Sequence, residues 1–232
     1  LDISKASPDE TEREKCHLLT EILTPMVKTY PSEMGILAIS QGLQIFGGSG
    51  YCDDYPLEQY YRDIRIDPIH EGTTGIQGMD LLGRKVAMKD GRALLLLLEE
   101  INLTITAAGK IPELAEKAKQ LSASLEELQK VSAALFQIAG EKGPEIFLSD
   151  ATLYLEFFGI IAVGWQWLLQ GVKAHEAMEA DASGSDLNFY KGKLHTLRFF
   201  FEYELPKIDG MVKRLLSKDP VTVEMHADFF DD

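Results

Sequence analysis

Glu71 is the residue in this sequence whose setting best fits acid–base chemistry. It follows Ile69 and His70 and precedes Gly72, in a segment between two helical stretches. A carboxylate that removes a weakly acidic C–H proton needs partial desolvation, which raises its basicity, and a small neighbour that admits the substrate. A helix that starts just after Glu71 favours its ionised form. On these residues alone, a solvated loop carboxylate is the alternative.

A glycine cluster is the second candidate for chemistry. Gly47, Gly48 and Gly50 closely follow Gln44, and glycines allow positive φ and the close approach of another molecule. Phosphate loops usually lead into a helix, whereas these glycines follow one, so backbone approach and Gln44 would matter more for a cofactor held here. A helix C-cap followed by a plain turn is the alternative.

The other reactive side chains give weaker indications. Arg62 and Asp63 are predicted to form an exposed or structural ion pair, with a ligand role as the alternative. His70 either modulates Glu71 or satisfies a hydrogen bond of the loop. Cys16 and Cys52 lack a CxxC partner and a histidine at metal-ligand spacing, so neither a disulfide framework nor a metal site is predicted. A reducing, intracellular compartment fits this cysteine usage.

Composition and charge exclude several classes of protein. The chain has 232 residues, 45% of them apolar, which is enough for a core in one domain or two small ones. Its net charge of -14 disfavours binding to nucleic acid and to anionic lipid. The longest aliphatic run, Ala93 to Leu98, is far shorter than the roughly 20 residues of a membrane span, so no membrane insertion is predicted. The chain opens on Leu1, so we expect it to be cut from a longer protein.

The first part of the chain must position these residues with short helices and glycine-rich loops. Apolar residues recur at three- and four-residue intervals from Thr11 onward, and Thr74 with Gln77 has the form of a capping box. The predicted elements are a helix from Thr11 kinked at Pro25, a helix from Pro31 to Phe46, a loop over 47–55, a helix from Pro56 to about Arg62, an irregular stretch over 64–72 and a helix from Thr74 to Val86.

The remaining chain is predicted to form long helices with few breakers. The aromatic stretch from Ile146 to Val172 is apolar on nearly every side, so it should be the most buried helix. The other predicted elements are a helix over 93–105, a narrow apolar stripe over 114–138, a loop over 182–185 and a last helix that kinks or ends at Pro206. The fold class is therefore all-α: a helical bundle over 1–92, followed by a second, four-helix-like domain over 93–232.

The spaced elements resemble one known family. The order QxxGGxGY from Gln44, a YPLE helix ending in Arg62-Asp63, and EGT from Glu71 followed by Ile76-Gln77 resembles the final catalytic segment of acyl-CoA dehydrogenases. This resemblance covers residues 10–90 closely. Residues 95–232 are similar, by helical pattern, to the extra C-terminal domain of the longer, bacterial-type members. That domain is read as a packing module, or as one that shapes the acyl pocket or subunit contacts.

The resemblance implies roles for particular residues. Glu71 would be the base that takes the α-proton of an acyl-CoA, and Gly72 would lie against its thioester. FAD would be the cofactor, an electron-transfer flavoprotein would accept the electrons, and the protein would be a cytoplasmic homodimer or homotetramer. The residues that would contact FAD are Gln44, Ile45, Phe46, Gly47 and Gly48, facing a neighbouring subunit, and Thr73, Thr74 and Gly75, near the active site.

The resemblance has limits, and two other functions stay open. His70 replaces a tyrosine common before the glutamate, and Gly75 replaces a side chain. The amino-terminal helical domain and the central β-domain that hold the flavin in the family are not in this sequence, so we expect the chain alone to bind FAD weakly or not at all. The alternatives are a non-catalytic helical interaction module and a DNA-damage-response relative, which the charge of -14 disfavours.

Overall fold

The structure is a computed structural model that describes residues 1–180, 182–217 and 219–231. These residues form helices joined by turns and contain no β-strand, so the all-α prediction is confirmed. The chain divides into two compact units, Leu1–Ala93 and Leu94–Asp232.

The first unit is built on one long helix. Its core lies where the amino-terminal half of that helix packs against the last helical turns of the unit, around Leu18, Ile22, Leu81 and Leu82. The helices of the unit are α1 (Asp2–Ala6), α2 (Glu10–Phe46), α3 (Gly48–Tyr51), α4 (Leu57–Ile64) and α5 (Thr74–Asp80), which continues into a π-helical turn, Leu81–Lys85.

Helix α2 runs without interruption through Pro25 and Pro31, so the prediction of two helices here was wrong. A proline inside a helix removes one N–H donor, and this loss can be tolerated where packing holds the helix. Pro25 and Met26 are buried in the core of the unit. The Ser32 Oγ also donates to the carbonyl oxygen of Lys28, at 2.6 Å, which ties the turn around Pro31 together.

The connection after α2 differs in detail from the predicted loop over 47–55. Gly47 adopts a φ of +61° and ends α2, and Gly48–Tyr51 then forms a helical turn, α3. Helix α4 begins at Leu57, with Pro56 as its N-cap, close to the predicted start. The stretch from Arg65 to Gly72 contains only turns and bends, as predicted.

An ion pair between a buried lysine and a half-buried glutamate joins the π-helical turn to α2. The side chain of Lys85 is only 5% exposed, and its Nζ donates to the Glu21 carboxylate, while Asp80 Oδ2 lies 3.9 Å from the same nitrogen. The hydrogen bond from Lys85 lowers the pKa of Glu21 below its usual range. A π turn inserts an extra residue into a helix and re-aims its side chains, which here brings Lys85 to Glu21.

The second unit has a core of apolar residues from four long helices. The boundary between the units follows Ala93, near the start of helix α6. The elements are α6 (Arg92–Ala108), α7 (Ala115–Lys142), α8 (Pro144–Leu148), α9 (Ala151–Glu179), α10 (Gly184–Phe199), a π turn (Phe200–Glu204), a 3₁₀ turn (Leu205–Lys207), α11 (Ile208–Leu215) and a 3₁₀ turn (Ala227–Phe230). The predicted stripe over 114–138 is buried, including Leu121, Leu128 and Ile138.

Helix α9 is the central helix of the second unit. It starts at Ala151 rather than at Ile146, because Ser149 and Asp150 break the predicted helix and leave α8 as a separate piece. By length and composition α9 could cross a membrane, but 56% of its most apolar window is buried inside the structure. This burial favours a core helix, as its aromatic residues predicted.

The polar atoms of α9 find partners within the same unit. Ser132 Oγ donates to the Leu128 carbonyl oxygen at 2.7 Å, so Tyr154 Oη, 2.8 Å from Ser132 Oγ, is the donor of that second bond. Burial raises the pKa of Tyr154 to about 12. Trp165 Nε1 donates to Thr104 Oγ1 at 2.8 Å. These bonds join α9 to α7 and to α6 within the second unit.

The last helices follow the predicted breakers only in part. Helix α10 begins at Gly184, inside the predicted loop over 182–185. It changes to a π turn at Phe200 and to a 3₁₀ turn that contains Pro206, where the predicted break falls.

Candidate active site

Glu71 lies in the turn-rich segment between α4 and α5. Its backbone has a φ of +24°, and Gly72 follows with a φ of +75°. Positive φ is rare for a residue with a side chain, and it persists only where the surrounding contacts hold it. The Glu71 side chain is exposed at the surface of its unit. The segment therefore presents a carboxylate on a strained turn that side chains of this unit leave uncovered.

Gly72 is required by the local structure. Its positive φ favours glycine, and a Cβ built on it would lie 2.2 Å from Gln77 Nε2. The Gln77 side chain thus folds back over the backbone that follows Glu71. A small residue here was predicted because of a substrate, and the fold gives a second reason for it.

The start of α5 is capped by Thr73 and not by Thr74, so the predicted capping box of Thr74 and Gln77 was wrong, although α5 begins at Thr74 as predicted. Thr73 Oγ1 accepts from the backbone N–H of Ile76 at 3.5 Å. Thr74 Oγ1 instead donates to Glu33 Oε1 on α2 at 2.5 Å. The Thr74 N–H donates to the Pro68 carbonyl oxygen at 3.3 Å, which closes the segment on itself. Thr74 is therefore drawn into the first turn of the helix.

His70 forms a hydrogen bond with the backbone of its own loop and does not contact Glu71 in the described structure. Its Nδ1 lies 2.9 Å from the Ile66 carbonyl oxygen, which can only accept, so Nδ1 carries the proton. The backbone N–H of His70 donates to the same oxygen at 3.0 Å. Of the two roles predicted for His70, the loop hydrogen bond is the one seen.

Arg62 does not pair with Asp63, its sequence neighbour. Its guanidinium contacts the Glu58 carboxylate one helical turn earlier. Neighbouring residues on a helix point in different directions, whereas residues four apart share a face, so the predicted pair was wrong. The Arg62 side chain is 70% exposed, which makes the contact a surface ion pair.

Lys28 on α2 is a site residue that the sequence did not indicate. Its Nζ donates to the carbonyl oxygens of Asp67 and His70, the latter at 3.3 Å. A surface pocket of about 280 Å³ lies beside it, lined by Lys28, Pro31, Ser32, Ile64, Asp67 and His70. Because Lys28 and His70 are 42 positions apart, no local pattern could join them.

The predicted cofactor stretch from Gln44 to Gly48 is exposed throughout. Ile45 is 83% exposed and Phe46 48%, so apolar surface is left uncovered at the end of α2. Lys28 and Gln44 are 16 residues apart on α2, or about 24 Å along its axis. The structure thus places Glu71 to Gly75 together and leaves Gln44 to Gly48 as a separate surface.

The glycines of this stretch have different structural reasons. Gly47 needs its positive φ. Gly50 is closely packed, since an added Cβ would lie 2.7 Å from Phe46 Cβ and 3.2 Å from the Leu43 carbonyl oxygen. An added Cβ at Gly48 or Gly75 would meet nothing within 4 Å, and neither has a positive φ. The fold of this unit therefore explains Gly47 and Gly50 but not Gly48 or Gly75.

The described residues contain no group of three or more His, Cys, Asp and Glu side chains that could hold a metal ion. Cys16 is half-buried and Cys52 exposed, and both are free thiols.

Both units match models of known domains. Residues 8–86 match the model described as "Acyl-CoA dehydrogenase, C-terminal domain", and residues 97–226 match the one described as "Acetyl-CoA dehydrogenase C-terminal like". The first match contains every site residue discussed above. The second spans more than half of the chain.

Several curated proteins are similar to this chain. The broad-specificity linear acyl-CoA dehydrogenase FadE5 of Mycobacterium tuberculosis is 31% identical over 81% of this chain and 32% of its own length. The 3-methylmercaptopropionyl-CoA dehydrogenase of Ruegeria pomeroyi is 34% identical over 93% of this chain and 36% of its length. A butyryl-CoA dehydrogenase of Syntrophomonas wolfei is 29% identical over 97% and 37%.

The chain spans about a third of the length of these relatives. Its two matched regions correspond to models described as C-terminal domains. The all-α structure agrees with both matches. The chain belongs to the acyl-CoA dehydrogenase family.

Proposed function

We propose that this chain is the C-terminal part of an FAD-dependent acyl-CoA dehydrogenase and that Glu71 is its catalytic base. The observation that carries this proposal is the structure of residues 65–72, called the Glu71 turn. It holds an exposed carboxylate on strained backbone, is followed by a helix that starts at Thr74, and is tied to α2 on both sides. Strained, over-determined backbone is found preferentially at functional sites. A plain surface carboxylate would need neither the strain nor the ties.

The reaction introduces a double bond next to a thioester. The Glu71 carboxylate takes the α-proton of the acyl-CoA, and the electrons of that C–H bond form the Cα=Cβ double bond as the β-hydrogen leaves with its bonding pair. Bound FAD supplies the acceptor for this hydride. Gly72 would lie against the thioester with its backbone, because the Gln77 side chain fills the space of a Cβ there. General base catalysis by a positioned carboxylate contributes about 10²- to 10⁴-fold to a rate.

The residues of this chain fit a flavin cofactor in two places. Gln44 offers an amide, Ile45 and Phe46 offer exposed apolar surface, and Gly47 and Gly48 allow close backbone approach beside unfilled space. Near Glu71, Gly75 has open space as well. The Thr73 hydroxyl is still able to donate a hydrogen bond, whereas the Thr74 hydroxyl already donates to Glu33 and could only accept another bond.

The separation of these two surfaces supports an oligomer. Gln44 to Gly48 would contact the FAD of a neighbouring subunit, and Thr73 to Gly75 the FAD beside Glu71, in a homodimer or homotetramer. Each of the three relatives is named for an acyl-CoA thioester, which supports that substrate class here. An electron-transfer flavoprotein as the electron acceptor and a cytoplasmic location belong to the same proposal.

The test uses the full-length protein with FAD bound, to which butyryl-CoA is added without oxygen. We expect the flavin absorbance to bleach, and Glu71→Gln to slow bleaching by about 10²- to 10⁴-fold, because the amide cannot take a proton. The FAD content should not change. Glu14→Gln, which alters an exposed carboxylate of the same unit, is the control. Bleaching of the Glu71→Gln protein at the wild-type rate would contradict the proposal.

A further inference from the structure

The turn that carries Glu71 is held to α2 by contacts on both of its sides. On the amino-terminal side, Lys28 Nζ donates to the carbonyl oxygens of Asp67 and His70. On the carboxy-terminal side, Glu33 accepts from the Thr74 hydroxyl at 2.5 Å. Glu71 therefore lies between two attachments to one helix, and the residue immediately before it is bound directly.

On the amino-terminal side, hydrogen bonds between the described residues of the turn and α2 come from Lys28. The turn also has internal bonds, such as those from His70 to the Ile66 carbonyl oxygen, but these do not tie it to α2. A surface pocket of about 280 Å³ lies beside Lys28, and Asp67 and His70, whose carbonyl oxygens Lys28 binds, line it. Pro68 is buried, but Ile66, Ile69 and His70 are exposed. An ammonium has three donors on a flexible stem, which suits it to bridge two carbonyl oxygens of a turn.

The backbone that Lys28 binds is strained at the next residue. Glu71 has a φ of +24° and Gly72 a φ of +75°. A conformation of this kind relaxes when its external contacts are lost. Loss of the bond to the His70 carbonyl would therefore let the His70–Glu71 peptide rotate and move the Glu71 carboxylate.

We infer that Lys28 is a positioning residue for Glu71, and this rests on the proposed role of Glu71 as the base. Lys28 acts through two backbone carbonyls and does not touch the substrate. A base misplaced by about 1 Å can cost about 10²-fold in rate. The rate of proton removal should therefore depend on Lys28, whereas the affinity for acyl-CoA should not.

The test compares Lys28→Met with wild type in the full-length protein. The methionine keeps the length of the stem and removes the donors. We expect the rate constant of flavin bleaching at saturating butyryl-CoA to fall about 10- to 100-fold. The half-saturating concentration of butyryl-CoA should stay within about twofold. Lys28→Arg should recover most of the rate, because a guanidinium can donate to both carbonyl oxygens.

A second readout does not depend on activity. Amide hydrogen exchange of residues 67–73, measured without substrate, should be faster in Lys28→Met, while amides in the buried helix α9 should be unchanged. Lys89→Met is the matched control, because it removes the same charge from an exposed lysine of the same unit, which pairs with Glu14. It should alter neither the bleaching rate nor the exchange of the turn.

The outcomes separate this inference from the proposed function. Wild-type bleaching and wild-type exchange in Lys28→Met would overturn the positioning role and leave Glu71 as the base. An equal loss of rate in Lys28→Arg and Lys28→Met would also overturn it. If Lys28→Met does not fold, Lys28→Gln, which keeps an amide donor on a shorter stem, is measured in its place. Bleaching of the Glu71→Gln protein at the wild-type rate would overturn both.

Discussion

At the scale of single residues, the site depends on backbone conformation as much as on side chains. Glu71 and Gly72 both have positive φ, and the Gln77 side chain occupies the space where a side chain at residue 72 would lie. The sequence indicated a small residue beside a carboxylate. It did not indicate that the carboxylate itself lies on strained backbone, because the contacts on either side of Glu71 come from α2, about 40 positions away.

The Lys85–Glu21 ion pair allows a prediction at the same scale. Glu21→Gln should destabilise the chain by about 1–3 kcal/mol in urea unfolding, because it removes the charge that pairs with a buried ammonium, and Asp80 Oδ2 is 3.9 Å away. Replacing both partners, Lys85→Met with Glu21→Leu, should be close to neutral. The exposed pair Lys89–Glu14 is the control, and its loss should cost under about 1 kcal/mol.

The same pair has a defined pH dependence. Its hydrogen bond lowers the pKa of Glu21 in the folded state, so the stabilisation is complete above the unfolded pKa, near 4.3 for a glutamate, and is lost as the pH falls through the folded value. Glu21→Gln should lack this acid-side loss. An acid limb of the same size in wild type and Glu21→Gln would contradict the assignment.

At the scale of elements, the long helix α2 organises the candidate site. Because α2 is continuous through Pro25 and Pro31, Lys28, Glu33 and Gln44 all lie on the same helix. Two shorter helices, as predicted, would have left the Glu71 turn and the glycine stretch free to move separately. The two prolines predicted a break in the helix. The helix continues because the residues around Pro25 and Met26 are buried against the rest of the unit.

The glycines after α2 give a prediction for the junction of α2 and α3. Gly50→Ala should cost about 1–3 kcal/mol in urea unfolding, because its Cβ would lie 2.7 Å from Phe46 Cβ. Gly48→Ala, which has open space, should stay within about 0.5 kcal/mol of wild type. In the full-length protein, Gly48→Ala should nevertheless lower the FAD content, because its methyl occupies the space of the proposed contact. Unchanged FAD content would count against that contact.

At the scale of the whole molecule, charge distinguishes the remaining functions. The net charge of -14 is spread over 37 acidic and 23 basic residues. Many of the lysines form contacts with carboxylates of their own unit, such as Lys117 with Glu202 and Lys173 with Glu176. Such a surface repels a phosphate backbone, which counts against the DNA-damage-response alternative.

This leads to a prediction for nucleic-acid binding. A fluorescently labelled DNA duplex should show no saturable anisotropy change with the chain at up to about 10 μM, even when the salt is lowered to about 50 mM, where phosphate contacts are strongest. The full-length protein should behave in the same way. Binding by the full-length protein that weakens steeply with added salt would restore the DNA-binding alternative.

The sequence by itself determined the all-α class, the buried aromatic helix and the family, because apolar periodicity and the spacing of short motifs are local properties of the chain. It also indicated Glu71, Gly72 and the glycines after Gln44 as the residues to examine. Only the tertiary structure decided how that segment is held: Lys28 and Glu33 contact residues about 40 positions away, at Asp67, His70 and Thr74. Hydrogen bonds between distant parts of a chain depend on how helices pack, and no local pattern specifies them.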